Sequence, residues 1–354
     1  MKYDIRKDIN IYKEILDLIY ICINEEYEIK NRLDNYEKSG VDYKVFEKKY
    51  CDNINKYIKS FKKLIKINKE DADFYFTSEI DLVYGIGQIL LTDFELEELG
   101  NIIENIDFLS IEFLRDKLIK ALEETFELEN REGLKIESLS HYINFINKLN
   151  ISENIKWRFV KIYDDPKFYY EKLLKIISNN YVAFTKAYEE VKDDVRDFIK
   201  YLLDNAETNF KLLDDKYGIK IQENTIIYPS VVRNRFIEAT YLAKRNVIYY
   251  GILFNKSMEF LDSNKLDNEN LLQFLKAISD KSKFEIIKLL KSKEMYGQEL
   301  AAKLDLSTAT VSHHMNALLV TNIVKVKREN GKSYFYLNGE SIKKFLKELG
   351  DNII

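Results

Sequence analysis

The amino-acid sequence predicts a mainly α-helical protein, in which a helical N-terminal domain with a few short β-strands near its end precedes a smaller α+β domain. Three observations lead to this fold class. The chain of 354 residues contains only 11 Gly and 2 Pro, the two residue types that most disrupt helices. Apolar residues recur at helical spacing through most of residues 8–215. Runs of β-prone residues are confined to about residues 225–253 and 323–337.

The composition argues against several classes of protein. Charged residues make up 32% and hydrophobic residues 46% of the chain, which is typical of a globular protein and not of a disordered one. With Cys22, Cys51 and three histidines, neither a disulfide framework nor a closed four-ligand zinc site of Cys and His is expected. The chain shows neither an apolar leader nor an uncharged apolar run of about 18 residues. We therefore expect a cytoplasmic protein without a membrane partner.

The N-terminal region is predicted to be a succession of helices. Residues 8–24 carry an apolar stripe at helical spacing. Residues 44–66 are predicted to form one long surface helix, since apolar residues follow one side and charged residues the other. Pro166 fits the first turn of another helix, and an amphipathic stretch continues from it to about Leu213. Further helices are predicted near residues 93–105, 109–128, 134–148 and 151–163.

The sequence pattern changes near residue 223, where short strands replace helices. Pro229 places the first strand at a sheet edge or a strand end, because proline cannot donate a backbone hydrogen bond. A polar linker follows at residues 262–268, and the domain boundary is placed there. The predicted domains are residues 1–262, with a sensing or oligomerisation role, and residues 268–354. The predicted strands lie at residues 225–232, 237–242 and 246–253.

The charge of the chain is unevenly distributed. Residues 271–354 carry 14 Lys/Arg and 9 Asp/Glu, a net charge of +5, although the whole chain has a net charge of −4. A basic segment on an acidic body indicates a nucleic-acid partner for the C-terminal domain. A solvated charged surface would give the same signal, so the assignment depends on the motifs below.

The C-terminal domain is predicted to begin with a series of short helices. An apolar stripe from Leu271 to Ile278 indicates the first helix, and Asp280 is suited to cap the second. A third helix is predicted at residues 297–304. A short link then leads to Ser307, a good N-cap for a fourth helix.

The fourth helix, residues 308–321, has an apolar face and a small polar face. Val311, Met315 and Leu318 share the apolar face, and His314 is expected towards the core flank. Two short helices joined by a tight turn, the second presenting small polar side chains, are typical of a helix-turn-helix motif that reads the major groove of DNA. The residues predicted to contact DNA from this helix are Thr308, Ala309, Thr310, Ser312, His313 and Asn316.

Residues 323–337 predict a β-hairpin, because Asn330-Gly331 separates two β-prone runs and this dipeptide favours a type I′ turn. Lysines alternate with valines in the first run, so one face of that strand is expected to be basic and the other buried. Such a hairpin beside a helix-turn-helix is called a wing, and it can reach phosphates next to the groove. The residues predicted to contact phosphates are Lys325, Lys327, Arg328 and Lys332.

The first and last helices of this domain carry apolar stripes that a small domain has little else to cover. We therefore expect them to pair with the same helices of a second copy, although the N-terminal domain could cover them instead. The last helix is predicted at residues 341–349. The two stripes are Leu271, Phe274, Leu275 and Ile278, and Ile342, Phe345, Leu346 and Leu349.

Four parts of this domain carry a family resemblance: residues 277–290, Glu299-Leu300-Ala301, residues 306–315 with the run Ser312-His313-His314, and the wing. Residues 268–350 resemble the ArsR family of bacterial winged-helix repressors. The resemblance implies a DNA-binding dimer, with the first and last helices at the interface and the recognition helix in the major groove.

The resemblance carries no metal site or other cofactor into this chain. Many members of the family sense metals through cysteines in the helix before the turn, whereas residues 295–300 contain no cysteine. Other members use Asp, His and Glu of the last helix, and residues 341–349 contain no histidine. The N-terminal region resembles a helical domain of uncharacterised function that precedes some ArsR-type winged helices, with Tyr228-Pro229-Ser230 in a strand ahead of the linker.

The sequence thus predicts a transcriptional regulator and not an enzyme: a homodimeric repressor that binds double-stranded DNA, with an N-terminal domain that could hold an unknown effector. The alternative is an enzyme or a protein-interaction scaffold with an accessory winged helix. A catalytic constellation would favour the alternative, and none is visible in the sequence. Gly85-Ile86-Gly87 lacks the third glycine of a dinucleotide loop, and His141 has no neighbouring Cys or second His and is expected to be a packed or surface histidine.

Overall fold

The computed structural model describes residues 3–30, 43–78, 85–92, 94, 109–126, 136, 138–219, 221–241, 246–263, 267–329 and 332–353. The chain divides into two compact units. The first consists of residues 1–28, 51–200 and 223–254, and the second of residues 29–50, 201–222 and 255–354. The second unit therefore contains the C-terminal module together with three segments of the predicted N-terminal domain, residues 29–50, 201–222 and 255–262. The boundary at residues 262–268 remains a prediction.

In the part of it that the structure describes, the N-terminal region is helical apart from four strands. Its strands are β1 (Tyr3–Ile5), β2 (Thr225–Ser230), β3 (Ile237–Tyr241) and β4 (Asn246–Gly251). Its helices are α1 (Ile11–Ile23), α2 (Tyr43–Tyr50), α3 (Asp52–Lys62), α4 (Lys69–Phe76), α5 (Ile86–Leu91), α6 (Ile111–Thr125), α7 (Leu139–Ile146), α8 (Glu153–Asp164), α9 (Pro166–Tyr188), α10 (Lys192–Asp204), α11 (Ala206–Tyr217) and α12 (Phe254–Ser263).

The C-terminal module alternates helices with short strands. In chain order it contains α13 (Asp267–Ser279), α14 (Lys281–Ser292), β5 (Met295–Tyr296), α15 (Gly297–Leu304), α16 (Thr308–Val320), β6 (Val324–Glu329), β7 (Lys332–Leu337) and α17 (Gly339–Ile353). The predicted mainly α fold, with an α+β winged helix-turn-helix at its end, is confirmed.

Side-chain caps explain why many of these helices begin where they do. A side-chain oxygen at the N-cap accepts a hydrogen bond from the backbone N–H three residues later, which satisfies a donor that the helix itself leaves unpaired. The capping residues are Asn10, Asn68, Ser110, Ser138, Ser152, Asp165, Asp280 and Ser307. Pro166 follows its cap as the first residue of α9, as predicted.

Two predicted helices need comment. The single helix predicted for residues 44–66 is wrong, because the chain breaks it into α2 and α3 at Cys51. The dihedrals of Cys51, φ −107° and ψ 8°, lie outside the helical range, and its carbonyl accepts the first hydrogen bond of α3 from Asn55. The helix predicted near residues 93–105 lies outside the described residues, apart from Phe94.

The four N-terminal strands form one mixed sheet of the first unit, in the order β1-β2-β4-β3. β1, β2 and β4 are parallel, and β3 runs antiparallel at the edge. Pro229 lies one residue before the end of β2, in agreement with the predicted strand end. Strand β1 was not predicted, since three residues are too few to show alternation.

A buried carboxylate joins α1 to the end of β2. Glu14 is only 2% exposed. One of its oxygens accepts hydrogen bonds from Ser230 Oγ at 2.9 Å and Val231 N at 2.9 Å. The other accepts from Val232 N at 3.2 Å and from the Tyr57 hydroxyl at 3.3 Å. Four donors from two parts of the chain, residues 230–232 and Tyr57, therefore converge on one side chain of the core.

The C-terminal module has its own apolar core. Burying one such side chain completely stabilises the fold by about 1.5–3 kcal/mol relative to leaving it in water. Its buried members are Phe274, Ala277, Ile286, Leu290, Met295, Leu300, Ala301, Val311, Met315, Leu318, Ile323 and Val324. None of the helices within the described part of the chain is both long and apolar enough to cross a bilayer.

Candidate nucleic-acid interface

Helices α15 and α16 are joined by a tight turn whose ends are fixed by hydrogen bonds. The Glu299 side chain accepts a hydrogen bond from the backbone N–H of Tyr296 at 3.2 Å, which caps the start of α15. Asp305 ends α15 in a left-handed conformation, with φ 56° and ψ 44°. Ser307 Oγ then accepts from the Thr310 N–H at 3.0 Å, so α16 begins directly after the turn.

Helix α16 has a buried face and an exposed face, as the sequence predicted. Val311, Met315 and Leu318 are at most 1% exposed and anchor the helix in the core of the module. Ala309 and Thr308 are half-buried in the first turn. The remaining residues of the predicted set are exposed to solvent: Thr310, Ser312, His313 and Asn316. The helix therefore offers solvent a small, polar surface that a major groove can accommodate.

The two histidines of α16 differ in environment. His313 is exposed, whereas His314 is half-buried. Burial lowers the pKa of His314, against the opposing effect of the nearby Asp280 carboxylate. The Nδ1 atom of His314 is buried and has no hydrogen-bond partner among the described residues. The core-flank position expected for His314 thus favours its neutral form.

The wing consists of β6 and β7, paired antiparallel from Val324↔Leu337 to Glu329↔Lys332. The connection, Asn330-Gly331, lies outside the described residues, so the predicted turn type does too. Val324 is buried, but Val326 is only half-buried, so the apolar face of β6 is less enclosed than the sequence pattern indicated. The predicted phosphate contacts Lys325, Lys327, Arg328 and Lys332 all lie on this hairpin, each of them half-buried.

Strand β5 brings two further residues next to the wing, because it pairs with β7 at the edge of the same sheet. It pairs with β7 through Met295↔Phe335 and Tyr296↔Tyr334. The residue just before it, Glu294, places Oε2 at 2.5 Å from Lys327 Nζ. Lys332 Nζ lies 4.5 Å from the centre of the Tyr296 ring, within range of a cation–π interaction. Sequence reasoning missed both Glu294 and Tyr296, because a two-residue strand has no detectable period.

A short link fixes the wing relative to α16. The Ile323 N–H donates to the Leu318 carbonyl at 3.1 Å, and the Asn338 N–H donates to the Ile323 carbonyl at 2.9 Å. The Asn338 side chain also donates to Asn322 Oδ1 at 2.9 Å. Asn322 itself has a left-handed backbone, with φ 56°. The end of α16 and both ends of the wing are therefore held in one hydrogen-bonded corner.

The described residues contain no group of three or more His, Cys, Asp or Glu side chains placed to hold a metal ion. The cationic and small polar side chains of α16 and the wing are suited to contact phosphates and base edges. Two helices joined by a tight turn, followed by a hairpin, define a winged helix-turn-helix protein.

Comparison with known proteins identifies the family. The family model described as "Bacterial regulatory protein, arsR family" matches residues 280–326. The "Arsenical resistance operon repressor" of Staphylococcus aureus is 33% identical over 70 residues, which are 20% of this chain and 67% of the relative. The protein of the same name from Staphylococcus xylosus is 32% identical over 85 residues, 24% of this chain and 78% of the relative. The chain belongs to the arsR family and is a DNA-binding transcriptional regulator.

Among solved structures, HlyU from Vibrio cholerae N16961 is similar to part of the chain. It is 21% identical and has a TM-score of 0.22, and the match covers 25% of this chain and 97% of HlyU.

Proposed function

We propose that this protein is a homodimeric repressor, which binds double-stranded DNA with α16 in the major groove and the wing on the adjacent phosphates. The observation that carries the proposal is the exposed face of α16, where the small or polar side chains of Thr310, Ser312, His313 and Asn316 face solvent and no acidic residue occurs in the helix. The exposed apolar side chain of Val320 lies in the last turn, beyond this set. The relatives from the two Staphylococcus species bear the name of operon repressors, which supports the negative sign of regulation.

The residues of α16 are suited to direct reading of bases. Asn316 can pair with both hydrogen-bonding atoms of an adenine edge, and Ser312 and Thr310 can donate to or accept from several bases. His313 adds a donor and an acceptor from the same exposed face. Thr308 and Ala309 in the first turn would meet the phosphates and sugars at the groove edge. Changes at Thr310, Ser312, His313 or Asn316 should therefore alter which sequence is preferred.

The wing is suited to contact phosphates instead of bases. Lys325, Lys327, Arg328 and Lys332 lie on one hairpin that begins at the end of α16. Lysine and arginine bind phosphates at any sequence, with an affinity that falls steeply with salt. Changes in this set should weaken binding to all duplexes by a similar factor.

Dimerisation uses exposed leucines of the first and last helices of the module. Leu272 on α13 is 56% exposed and Leu346 on α17 is 55% exposed, although both helices also contribute to the core. Large apolar residues exposed on two such helices are suited to bury one another in a second copy. A two-fold dimer places its recognition helices in successive major grooves, so the operator should be an imperfect palindrome with half-sites about 10 bp apart.

Binding-site selection followed by titration tests the proposal. Duplexes enriched from a random pool by the full-length protein should contain the palindrome, and His313→Ala should enrich a different half-site. Lys327→Ala should keep the half-site but lower the slope of log affinity against log salt concentration by about 0.9, the value for one phosphate contact.

Lys291→Ala is the matched control, because Lys291 is an exposed lysine of α14 outside both DNA-contacting elements. It should change neither the half-site nor the salt slope. If Lys291→Ala and Lys327→Ala lowered the slope equally, the wing would not be a specific phosphate contact. Enrichment of no sequence at all by the wild-type protein would contradict the proposed function.

A further inference from the structure

Inside the second compact unit, the C-terminal end of α11 lies against the wing strand β6. Gly218 follows α11 in a left-handed conformation with φ +65°. Its N–H donates to the Asp214 carbonyl at 3.0 Å, which ends the helix. A Cβ atom added to Gly218 would collide with the Val326 carbonyl oxygen and lie 3.0 Å from the Cα atom of Lys327. The two backbones are therefore in contact, with no space for a side chain at this position.

The register of the wing shows which part of β6 faces α11. Glu329↔Lys332 closes a two-residue hairpin, and in such hairpins the flanking pair is hydrogen-bonded. Alternation along the strand then leaves Val326 in a pair without hydrogen bonds, so its carbonyl points away from β7. Among the described residues no other strand pairs with β6 on that side. The end of α11 therefore covers the outer edge of the wing at Val326.

Helix α11 is itself firmly held within this unit. Its apolar residue Leu213 is completely buried, and Phe210 is 7% exposed. Asn209 Oδ1 accepts a hydrogen bond from Asn255 Nδ2 at 2.8 Å, and the Tyr217 hydroxyl contacts Met258 Sδ at 2.8 Å. Both partners belong to α12. A helix held in this way provides a fixed support for the strand that it touches.

We propose that Gly218 is a positioning residue for DNA binding: through it, α11 holds β6 in the place where the wing reaches the phosphates. The inference rests on the proposed phosphate contacts of the wing. Lys325 and Lys327 flank Val326 directly, so a shift of β6 at this point moves both cations together. The DNA-binding surface thus depends on residues 201–222, which precede the winged helix by some 50 positions in the sequence.

Substitution of Gly218 in the full-length protein tests the inference. Gly218→Ala adds the colliding Cβ atom and backbone strain, whereas Gly218→Asn adds the same atom in a residue that tolerates a left-handed conformation. Both variants should bind the selected duplex more weakly, with a salt slope lower by about 0.9 for each phosphate that the displaced wing no longer neutralises. The preferred half-site should not change, because α16 stays in place. Gly339→Ala is the control, since a Cβ atom there meets nothing within 4 Å.

Two outcomes would overturn the inference. Folded Gly218 variants with the wild-type salt slope would show that α11 does not position the wing. Full recovery of affinity and slope in Gly218→Asn would show that Gly218 only ends a helix. A double-mutant cycle adds a further test: in a Lys325→Ala, Lys327→Ala background, Gly218→Asn should lower the slope no further. If it lowered the slope as much as in the wild type, the effect would not pass through these cations.

The proposed function and this inference can fail separately. If Lys327→Ala itself leaves the salt slope unchanged, the proposed role of the wing is wrong. If Lys327→Ala lowers the slope and Gly218→Asn does not, only the positioning role is wrong. If the Gly218 variants do not fold, backbone hydrogen exchange of the wild-type protein, measured with and without DNA, tests the inference instead. DNA should then slow exchange in residues 213–219 together with residues 324–329, and unchanged exchange in residues 213–219 would contradict the inference.

Discussion

Phe274 and Phe345 stack on each other, with ring centres 4.3 Å apart and ring planes 17° apart. They belong to the first and last helices of the winged-helix module, and Phe274 is only 2% exposed. The expectation that the stripes of these helices lack a cover within the module was therefore wrong for Phe274 and Phe345, because these two side chains cover each other. Leu346 of the second stripe is exposed, as is Leu272 next to the first stripe, and the dimer proposal rests on these two leucines.

Leu346→Glu should give a folded monomer that has lost most of its DNA affinity, because a buried unpaired charge at the interface is costly and a single half-site binds weakly. Sedimentation velocity measures the mass, and a thermal melt checks the fold. Leu203→Glu, at a leucine of α10 that is 51% exposed, should leave the dimer intact. Phe345→Glu should instead destabilise the fold itself, by about 3 kcal/mol or more. A dimer that survives Leu346→Glu would place the interface elsewhere.

Glu294→Gln should strengthen DNA binding. The Glu294 carboxylate competes with phosphates for Lys327, and an ion pair near the surface contributes up to about 1 kcal/mol, so the gain should not exceed about fivefold. Fluorescence anisotropy at low salt measures it. Glu285→Gln is the matched control, because it makes the same change of charge on α14, where Glu285 pairs with Lys288 at 2.9 Å. An equal gain in the control would mean that only the overall charge matters.

The stability of the first unit should depend on the protonation of Glu14. Burial raises the pKa of Glu14 to about 7, and the nearby Asp17 acts in the same direction, although hydrogen bonds from Val231, Ser230 and Val232 lower it. The folded state thus binds the proton more tightly than the unfolded chain does. The stabilisation is complete below about pH 4.5 and is lost as the pH rises through about 7, at about 1.4 kcal/mol per tenfold change in proton affinity.

Urea denaturation of the wild type and of Glu14→Gln, at about pH 5.5 and about pH 8, measures this effect. The wild type should lose about 1–3 kcal/mol more than the variant between the two conditions, because glutamine does not titrate. The comparison with the variant removes the contribution of all other titrating groups. The prediction would be contradicted if the unfolding free energy of the wild type minus that of Glu14→Gln stayed constant or increased between the lower and the higher pH.

Zinc and arsenite should leave the DNA affinity unchanged. Residues 295–300 contain no cysteine and residues 341–349 contain no histidine, although these are the places where the resemblance would put metal ligands. Anisotropy titrations with each metal species, and with a chelator as the reference, measure the effect. A shift of tenfold or more, which corresponds to about 1.4 kcal/mol of coupling, would refute the prediction.

Much of the winged-helix module could be predicted because its signals are local. Ser307 caps a helix whichever fold surrounds it, and Asn330-Gly331 between two β-prone runs indicates a hairpin without further context. The third helix was placed at residues 297–304, where α15 lies. The exposure of Ser312 and His313 follows from the helical period once the apolar face is known.

The remaining features depend on contacts between distant residues. Strand β5 consists of two residues and forms only because Phe335 and Tyr334 of β7 pair with it. The break at Cys51 could not be predicted, because the residues on both sides of it have good helical periodicity. An apolar stripe shows that something covers it, but not whether the cover is the same chain or a second one. The contact of Gly218 with Val326 joins positions that no local pattern relates.

The cover that α11 provides also bears on solubility. A strand edge with unpaired backbone groups is a template for pairing with another chain. In the intact protein the Val326 carbonyl on the outer edge of β6 meets Gly218. If residues 268–354 were produced alone, that edge would lie bare, and two copies could join their wings into one continuous sheet. We therefore expect the contact of Gly218 with Val326 to protect the DNA-binding module from sheet-mediated aggregation.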